Sequence, residues 1–282
     1  MRSTILAAGT LLAFTLSAAP ALAQDETAPP PAVTVSGSLT GVSDYRLRGV
    51  SQTDKQIAVQ GALTIAHESG FYIAGFASNL AGWGTFGGAN VELDGILGYK
   101  RTFGSATVDA GVTWYTYPGG FAESDVVEFF GKLSGTAGPA NLTAGVFYAP
   151  KQTSLSRFFR SGAEAAAGTT IAYKRYDNLY LSGDGTVGVP GTPVTAKAHI
   201  GWSKGNDGLG PNGTSLAPTG EYFDWLVGAD VAVYKNLTLG VAYVDTDIGE
   251  GESAYLAPNF RESTDGSSIS NGTILVSLTA AF

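Results

Sequence analysis

Charged residues at alternate positions carry the clearest chemistry in this sequence. Glu92 and Asp94 are separated by one apolar residue, so in an extended chain both carboxylates lie on one face. Rings of carboxylates or ammonium groups that face a water-filled lumen set the ion preference of a pore. Carboxylates outnumber lysines in this pattern, which predicts a weak preference for cations. The pattern places ten residues on one inner face: Glu92, Asp94, Lys100, Asp109, Glu128, Lys132, Asp184, Lys197, His199 and Asp230.

The same charges allow a second interpretation. Small barrels fill with side chains, and twelve strands lie between the filled and the open regimes, so inner charges that pair across the lumen would plug it. The basic residues of the loops leave a similar choice open. Arg46 and Arg48, close to Asp44 in the first loop, and Arg157 and Arg160 in the longest loop either fold inward as a constriction or stay outside against lipopolysaccharide phosphates.

Other chemistries have little support in the sequence. Without cysteine, thiolate metal sites and cysteine nucleophiles are excluded, and His67 and His199 are the only histidines. The Gly82–Gly87 stretch matches G-x-G-x-x-G, but a strand follows where a nucleotide site needs a helix, so we interpret it as a flexible loop. The acidic cluster at residues 245–252 lacks EF-hand spacing and is interpreted as a solvated loop. No catalytic residue, metal or cofactor is predicted.

Period-2 alternation in segments of about ten residues defines the elements that position these charges. The last segment is the clearest, because Ile274, Val276, Leu278 and Phe282 share one face while Ser277 lies on the other. The pattern predicts twelve strands: Val33–Val42, Gln56–Glu68, Phe71–Asn79, Asn90–Lys100, Ala106–Tyr117, Val126–Gly135, Asn141–Ala149, Asn178–Val187, Pro193–Ser203, Phe223–Tyr234, Leu237–Asp245 and Gly272–Phe282.

The connections between the predicted strands alternate in length. Tight turns at residues 67–70, 102–105, 137–139, 190–192 and 235–236 alternate with long segments such as 149–177, 204–222 and 246–271. Short periplasmic turns, long extracellular loops and an even strand count are typical of bacterial barrels. The sequence therefore predicts an all-β fold, a transmembrane antiparallel up-and-down β-barrel. Only Phe71–Asn79 is apolar on both faces, so the pattern does not orient it.

Aromatic residues support this topology. Trp114, Trp202 and Trp225 fall near the loop-side ends of their strands, where an interfacial girdle would lie. The other rim would be marked by Phe71, Phe103, Tyr234 and Phe282.

The ends of the chain predict export. Arg2, the apolar run at residues 5–16 and Ala21-Leu22-Ala23 have the pattern of a signal peptide cleaved after residue 23. Residues 24–32 form a Pro-rich lead-in, and residues 33–282 form the barrel. With 16 Lys and Arg against 24 Asp and Glu, the acidic chain is a poor nucleic-acid binder. We expect a protein of the bacterial outer membrane, exported by the general secretory route.

One stretch carries a family resemblance. Ser43-Asp44-Tyr45-Arg46-Leu47-Arg48-Gly49-Val50-Ser51-Gln52-Thr53 resembles the signature of the TorF-family porins, formerly the uncharacterised Gcw_chp family. Residues 66–72, 77–79, 98–99 and 117–119 look similar in the same order. The resemblance implies an outer-membrane barrel with a pore role, and it assigns a chemical role to no residue. The terminal Phe282 separately resembles the sorting signal that the barrel-assembly machinery recognises.

Three hypotheses follow. The first is a passive diffusion channel for small hydrophilic solutes or ions, with a weak preference for cations. The second is a non-conducting barrel that acts as an adhesin or envelope-structural protein, and the third is an outer-membrane lipid hydrolase. The expected partners are outer-membrane lipids, lipopolysaccharide, the solutes and the barrel-assembly machinery, and the sequence leaves oligomer formation open.

Overall fold

The structure is a closed, twelve-stranded antiparallel barrel. It is a computed structural model that describes residues 32–120, 123–156, 175–205, 216, 220–255 and 260–282. Strand β1 (Val33–Val42) pairs with both β4 (Ala58–His67) and β14 (Thr273–Ala281), which closes the sheet. The barrel strands are β1 (Val33–Val42), β4 (Ala58–His67), β5 (Phe71–Asn79), β6 (Val91–Phe103), β7 (Ala106–Thr116), β8 (Val126–Ala137), β9 (Ala140–Gln152), β10 (Tyr176–Gly188), β11 (Val194–Lys204), β12 (Glu221–Tyr234), β13 (Leu237–Thr246) and β14 (Thr273–Ala281).

Every predicted strand is present, and the connections alternate as predicted. Tight turns follow β4, β6, β8, β10 and β12, while the other connections are long. The first long connection contains a small hairpin of β2 (Arg46–Leu47) and β3 (Val50–Ser51), and the last contains the short helix α1 (Glu250–Tyr255). No helix in the described ranges is both long and apolar enough to span a membrane. The predicted signal peptide and residues 24–31 lie outside the described residues and stay predictions.

The outer face of the wall is apolar, as contact with lipid requires. Along β6, Leu93 and Leu97 are 44% and 54% exposed, whereas Ile96 on the inner face is 6% exposed. The rim residues predicted at the short-turn end are exposed as well. In β5, which the pattern could not orient, Phe71 and Ile73 face outward and Tyr72 is buried on the inner face.

Glycines on the inner face make room for aromatic rings. Tyr72 lies opposite Gly98 and Phe130 lies opposite Gly111 in the strand register. A Cβ atom at Gly98 would lie 2.4 Å from Cζ of Tyr72. The rings belong to one hydrophobic cluster on strands β5 to β10, which contains Tyr72, Phe130, Phe147 and Tyr180 together with Ile96. Glycine therefore lets rings lie close against the wall inside a narrow barrel.

Gly111→Ala tests this packing. The new Cβ would lie 2.3 Å from the Leu97 carbonyl oxygen and 2.7 Å from Cζ of Phe130, so the wall must shift. Overpacking of this kind costs about 1–3 kcal/mol. We expect the free energy of unfolding in urea, measured on the detergent-folded protein, to fall by that amount. Gly95→Ala is the matched control, because its Cβ would meet no atom within 4 Å. Equal stability of the two variants would contradict the packing.

Candidate functional site

The first long connection folds into the barrel mouth. We call residues 43–57 the first-loop plug. Its central residues are almost completely buried, from Thr53 at 0% to Leu47 at 9% exposure. The plug contacts the inner wall at several strands, because Arg48 reaches Glu128 on β8 while its carbonyl accepts a hydrogen bond from Tyr222 on β12. A loop in solution could not make these contacts, so the segment lies in the lumen.

Asp44 organises the plug from within. Its carboxylate accepts hydrogen bonds from Arg46 Nε at 2.6 Å, from Ser51 Oγ at 2.5 Å and from Thr53 Oγ1 at 3.2 Å. A buried charge is tolerated when it is paired and hydrogen-bonded. Residues 44–53 therefore form a compact loop around the Asp44 carboxylate.

Arg46 ties the plug to the last extracellular loop. Its guanidinium donates to the carbonyls of Gly49 at 2.9 Å, Ile269 at 2.8 Å and Asn271 at 3.3 Å. The Ser51 amide also donates to the Ile269 carbonyl, at 3.0 Å. The prediction left the position of Arg46 open, and the structure places it inside as a clamp between two loops rather than outside against phosphate.

Arg48 points from the plug towards the centre of the lumen. Its Nη2 lies 2.7 Å from Glu128 Oε1, and its Cζ lies 4.0 Å from the centre of the Tyr180 ring. Tyr115 donates to the other Glu128 oxygen at 3.0 Å. Burial lowers the pKa of Arg48, but the Glu128 carboxylate outweighs it and leaves the pKa above its ordinary value. Arg48 is therefore a charged side chain that fastens the plug to the wall.

A second network surrounds His199. Its Nδ1 lies 2.7 Å from Asp184 Oδ1, and its Nε2 lies 3.1 Å from Asp224 Oδ1. The Tyr180 hydroxyl lies 2.9 Å from the same Nε2 and donates to Asp224 Oδ2 at 3.0 Å. Both ring nitrogens thus meet carboxylates or a phenol inside the barrel. This is the arrangement of a structural polar network, whereas lipid cleavage needs a base that is reachable from the lipid.

Four more of the inner charges have partners as well. Lys197 Nζ lies 2.6 Å from Asp230 Oδ1. Tyr72 donates to Asp109 at 2.8 Å. Lys132 Nζ lies 4.8 Å from the centre of the Phe130 ring. The inner charges are therefore packed against partners more than they are presented to water.

The structure places all ten predicted residues on the inner face of the barrel. Three of them, Lys100, Asp184 and Lys197, are half-buried. The other seven are buried: Glu92, Asp94, Asp109, Glu128, Lys132, His199 and Asp230. Their role as pore-lining groups stays a prediction. Arg157 and Arg160 lie outside the described residues.

Sequence reasoning missed several members of the site. Asp224 shares its strand parity with Asp230 and could have been included on that signal. Tyr115 and Tyr180 carry no such signal, because alternation marks a tyrosine as inward without showing that its hydroxyl meets a carboxylate. The interpretation of residues 82–87 as a flexible loop is wrong. They contain a 3-10 turn at Gly82–Thr85, and Trp83 and Phe86 are buried because their rings pack against the plug.

The carboxylates of the acidic cluster accept hydrogen bonds from nearby backbone and side-chain donors. Asp247 accepts a hydrogen bond from the Phe223 amide at 2.7 Å, and Glu252 accepts one from the Gly249 amide at 2.8 Å. Glu250 accepts from Asn271 at 2.6 Å. Asp247, Glu250 and Glu252 are exposed, which agrees with the interpretation of the cluster as a solvated loop.

The two ends of the lumen differ in chemistry. The long-loop end is filled by an apolar cluster, and a cavity between the plug and its neighbours Trp83 and Phe86 has a volume of about 10 Å³, at the lower limit for one water molecule. The main members of the cluster are Tyr45, Leu47, Val50, Trp83, Phe86, Tyr115, Tyr117, Leu155, Leu216, Tyr222, Ile248, Phe260 and Ile269. The short-turn end is lined by half-exposed hydroxyl side chains: Ser36, Thr107, Ser134, Thr143, Thr186, Thr195, Thr238 and Thr279.

Comparison with known proteins decides the family. The family described as bacterial protein of unknown function (Gcw_chp) matches residues 25–282. The chain belongs to this family. The resemblance that the first-loop residues suggested is therefore confirmed, and the Gcw_chp signature segment is the first-loop plug. No curated protein matches the chain.

Solved structures resemble the Gcw_chp barrel only distantly. The COG4313 outer membrane channel from Pseudomonas putida F1 is 11% identical, with a TM-score of 0.41 over 93% of this chain and 100% of that one. OmpF of Salmonella typhi, solved in complex with daunomycin, is 10% identical, with a TM-score of 0.40 over 89% and 97%. DcaP of Acinetobacter baumannii, an outer membrane channel, is 10% identical, with a TM-score of 0.39 over 89% and 97%. Likenesses of this size carry no functional argument.

A double-mutant cycle on Arg48 and Glu128 tests the position of the plug. Removing one partner of a buried ion pair leaves a buried charge and costs about 3–5 kcal/mol. We expect Arg48→Gln to lower the free energy of unfolding by that amount, and Glu128→Gln to restore much of it in the double variant. Measurement is by urea unfolding in detergent.

The control is the exposed ion pair Lys204–Glu221, whose side chains are 59% and 58% exposed. Exposed pairs contribute about 0–1 kcal/mol, so Lys204→Gln should change little. A coupling energy between Arg48 and Glu128 as small as that of an exposed pair would place the plug outside the lumen.

Proposed function

We propose that this protein is an outer-membrane channel for small hydrophilic solutes, with a weak preference for cations, whose outer mouth is closed by the first-loop plug in the described conformation. The observation that carries the proposal is that the charges in the middle of the strands lie on the inner face of a closed barrel, whereas exposed charges such as Arg101, Lys204 and Glu221 lie near strand ends. A barrel that served only as an anchor has no need of charged inner rows, because burying a charge is costly.

The balance of inner charges supports the preference for cations. Seven carboxylates face inward on the strands: Glu92, Asp94, Asp109, Glu128, Asp184, Asp224 and Asp230. The strands supply Lys100, Lys132 and Lys197 against them, and the plug adds Arg48. A lumen with excess carboxylate attracts cations and raises their local concentration.

The hydroxyl-lined short-turn end supports a path for solutes. Its side chains are half-exposed although they face inward, so water reaches them from the periplasmic side. Threonine and serine hydroxyls replace part of a solute's hydration without fixing it by charge. This half of the lumen therefore has the character of a vestibule, which ends at the band of charges and rings beneath the plug.

The plug favours a gated channel over a permanently open pore. One ion pair to the wall, Arg48 with Glu128, and the clamp of Arg46 on the last loop hold it in place. Loops of this kind can exchange between positions without disturbing the strand ladder. We infer that conduction depends on movement of the plug, which the barrel wall does not share.

A second candidate is a non-conducting barrel whose extracellular loops carry the function. It is favoured by the apolar filling of the long-loop end, where the plug packs closely against neighbouring loop residues. The two candidates differ in one measurable respect, because a barrel that never moves its plug passes no current.

Biogenesis belongs to the same proposal. We infer export through the secretory route after cleavage of the signal peptide, and insertion by the barrel-assembly machinery through β14 and the terminal Phe282. The Phe282 ring is 64% exposed at the short-turn rim. Contact with outer-membrane lipids follows from the apolar outer face, and oligomer formation stays a prediction.

Single-channel recording of the purified protein in a planar bilayer under a salt gradient tests the channel. We expect small, infrequent steps with a cation-selective reversal potential. The double variant Arg48→Gln/Glu128→Gln should open more often, because the ion pair that holds the plug is gone. Silence from both proteins, each shown to be folded by its heat-modifiable migration, would favour the non-conducting barrel.

Two substitutions at one ion pair test the selectivity. Asp230→Asn removes a carboxylate and Lys197→Gln removes the ammonium 2.6 Å from it. The first should weaken the preference for cations and the second should strengthen it, so the reversal potential should shift in opposite directions. Shifts in the same direction, or none, would show that these side chains do not face the conducting path.

A further inference from the structure

We propose that Glu92 and Asp94 form a binding site for a divalent cation such as Ca²⁺ beneath the first-loop plug. The two carboxylates occupy neighbouring inward positions on β6 and are 1% and 5% exposed. The proposal rests on the proposed channel function for the route by which the cation reaches the site. The site names a ligand and the place where it binds, neither of which follows from the excess of inner carboxylates alone.

Asp94 differs from the other buried carboxylates of the inner face. Glu128 has Arg48, Asp230 has Lys197 and Asp224 has His199 within salt-bridge distance. Both oxygens of Asp94 are buried, and in the described part of the chain neither meets a cation or a side-chain donor. An isolated buried carboxylate carries a desolvation penalty of several kcal/mol, so the charged form of Asp94 is stable only beside a counter-charge.

Tyrosines from two loops enclose the carboxylate pair. The Tyr117 hydroxyl lies 3.4 Å from Glu92 Oε1, and Tyr115 lies opposite Asp94 in the register of β6 and β7. Tyr45 of the plug and Tyr117 offer phenol oxygens, but neither carries a positive charge that would balance the carboxylates.

The set of donors suits a hard cation. Two carboxylates carry a formal charge of −2, which one divalent ion neutralises, and the Tyr117 hydroxyl 3.4 Å from Glu92 adds a neutral oxygen donor. Ca²⁺ accepts six to eight oxygen ligands in flexible geometry, whereas Mg²⁺ demands a near-ideal octahedron. No thiolate exists in the chain and His199 is engaged elsewhere, so softer metals find no ligands here.

A cation at this position would also stabilise the plug. Tyr45 belongs to the plug, while Glu92 and Asp94 belong to the wall, so an ion between them joins the two. Binding to the folded state alone raises stability with ligand concentration. The site would thus link the presence of Ca²⁺ outside the cell to closure of the mouth.

Tyrosine-sensitised Tb³⁺ luminescence tests the site directly. Tb³⁺ replaces Ca²⁺ at oxygen sites and emits when a nearby tyrosine or tryptophan is excited, which the rings around Glu92 provide. We expect the purified protein, folded in detergent, to sensitise Tb³⁺, and we expect excess Ca²⁺ to displace it. In Asp94→Asn and in Glu92→Gln the apparent affinity should fall at least tenfold.

Glu250→Gln in the outer acidic loop is the matched control and should leave the signal unchanged. A signal lost with Glu250→Gln and kept in Asp94→Asn would move the ion to that loop and overturn the proposal. Absence of any sensitised signal would also overturn the proposal. It would indicate that a proton, and not a cation, neutralises the pair of Glu92 and Asp94. If Asp94→Asn fails to fold, Glu92→Gln decides.

Thermal unfolding separates binding from instability of the variants. With EDTA present, Asp94→Asn should unfold at a higher temperature than the unsubstituted protein, because an uncompensated charge is gone. Addition of Ca²⁺ should raise the unfolding temperature of the unsubstituted protein only. Conductance recorded on the same samples distinguishes the two proposals: Tb³⁺ binding without current refutes the channel alone, and current without binding refutes the site alone.

Discussion

Closure of the sheet is the constraint on which the rest of this structure depends. In lipid every backbone N–H and C=O must find a partner within the wall, and pairing of β1 with both β4 and β14 achieves this without a free edge. Closure in turn divides the side chains of each strand strictly between lipid and lumen. Apolar residues go outward, and all the charges of the strand interiors are forced into one narrow space. Their pairing follows from that confinement.

Confinement also explains the plug. A lumen of twelve strands is too wide to be filled by wall side chains alone and too narrow to keep buried charges well hydrated. The first loop fills the long-loop end with apolar residues and brings Arg48 to Glu128. Asp44 supports this arrangement, because it pairs with Arg46, Ser51 and Thr53 within the loop, so these groups enter the barrel already hydrogen-bonded.

The interior therefore has a graded chemistry from one end to the other. Hydroxyl groups line the short-turn end, ion pairs and aromatic rings fill the middle, and the plug closes the long-loop end together with the apolar cluster around it. Glycines such as Gly98 and Gly111 let the rings lie against the wall. Asp94 departs from this arrangement, because among the described residues neither of its carboxylate oxygens meets a cation or a side-chain donor. This observation motivates the proposed Ca²⁺ site.

The sequence by itself determined the wall of the barrel and little of its filling. Alternation with a period of two is a local property, so every strand, the alternation of short and long connections and the inward side of residues such as Glu92 and Asp230 could be predicted. The alternation did not orient Phe71–Asn79, because both faces of this strand are apolar. Its inner face carries Tyr72 and Phe76, which face a lumen that is itself partly aromatic.

The plug and the pairings needed the tertiary structure. Whether Arg48 entered the lumen or stayed outside could not be decided from the chain, because its partner Glu128 lies eighty residues away and the contact depends on closure of the sheet. For the same reason the sequence did not show that Trp83 and Phe86, in the segment interpreted as a flexible loop, are buried. Local spacing fixes which face a strand residue occupies, but contacts across a lumen depend on which strands the closed barrel sets opposite one another.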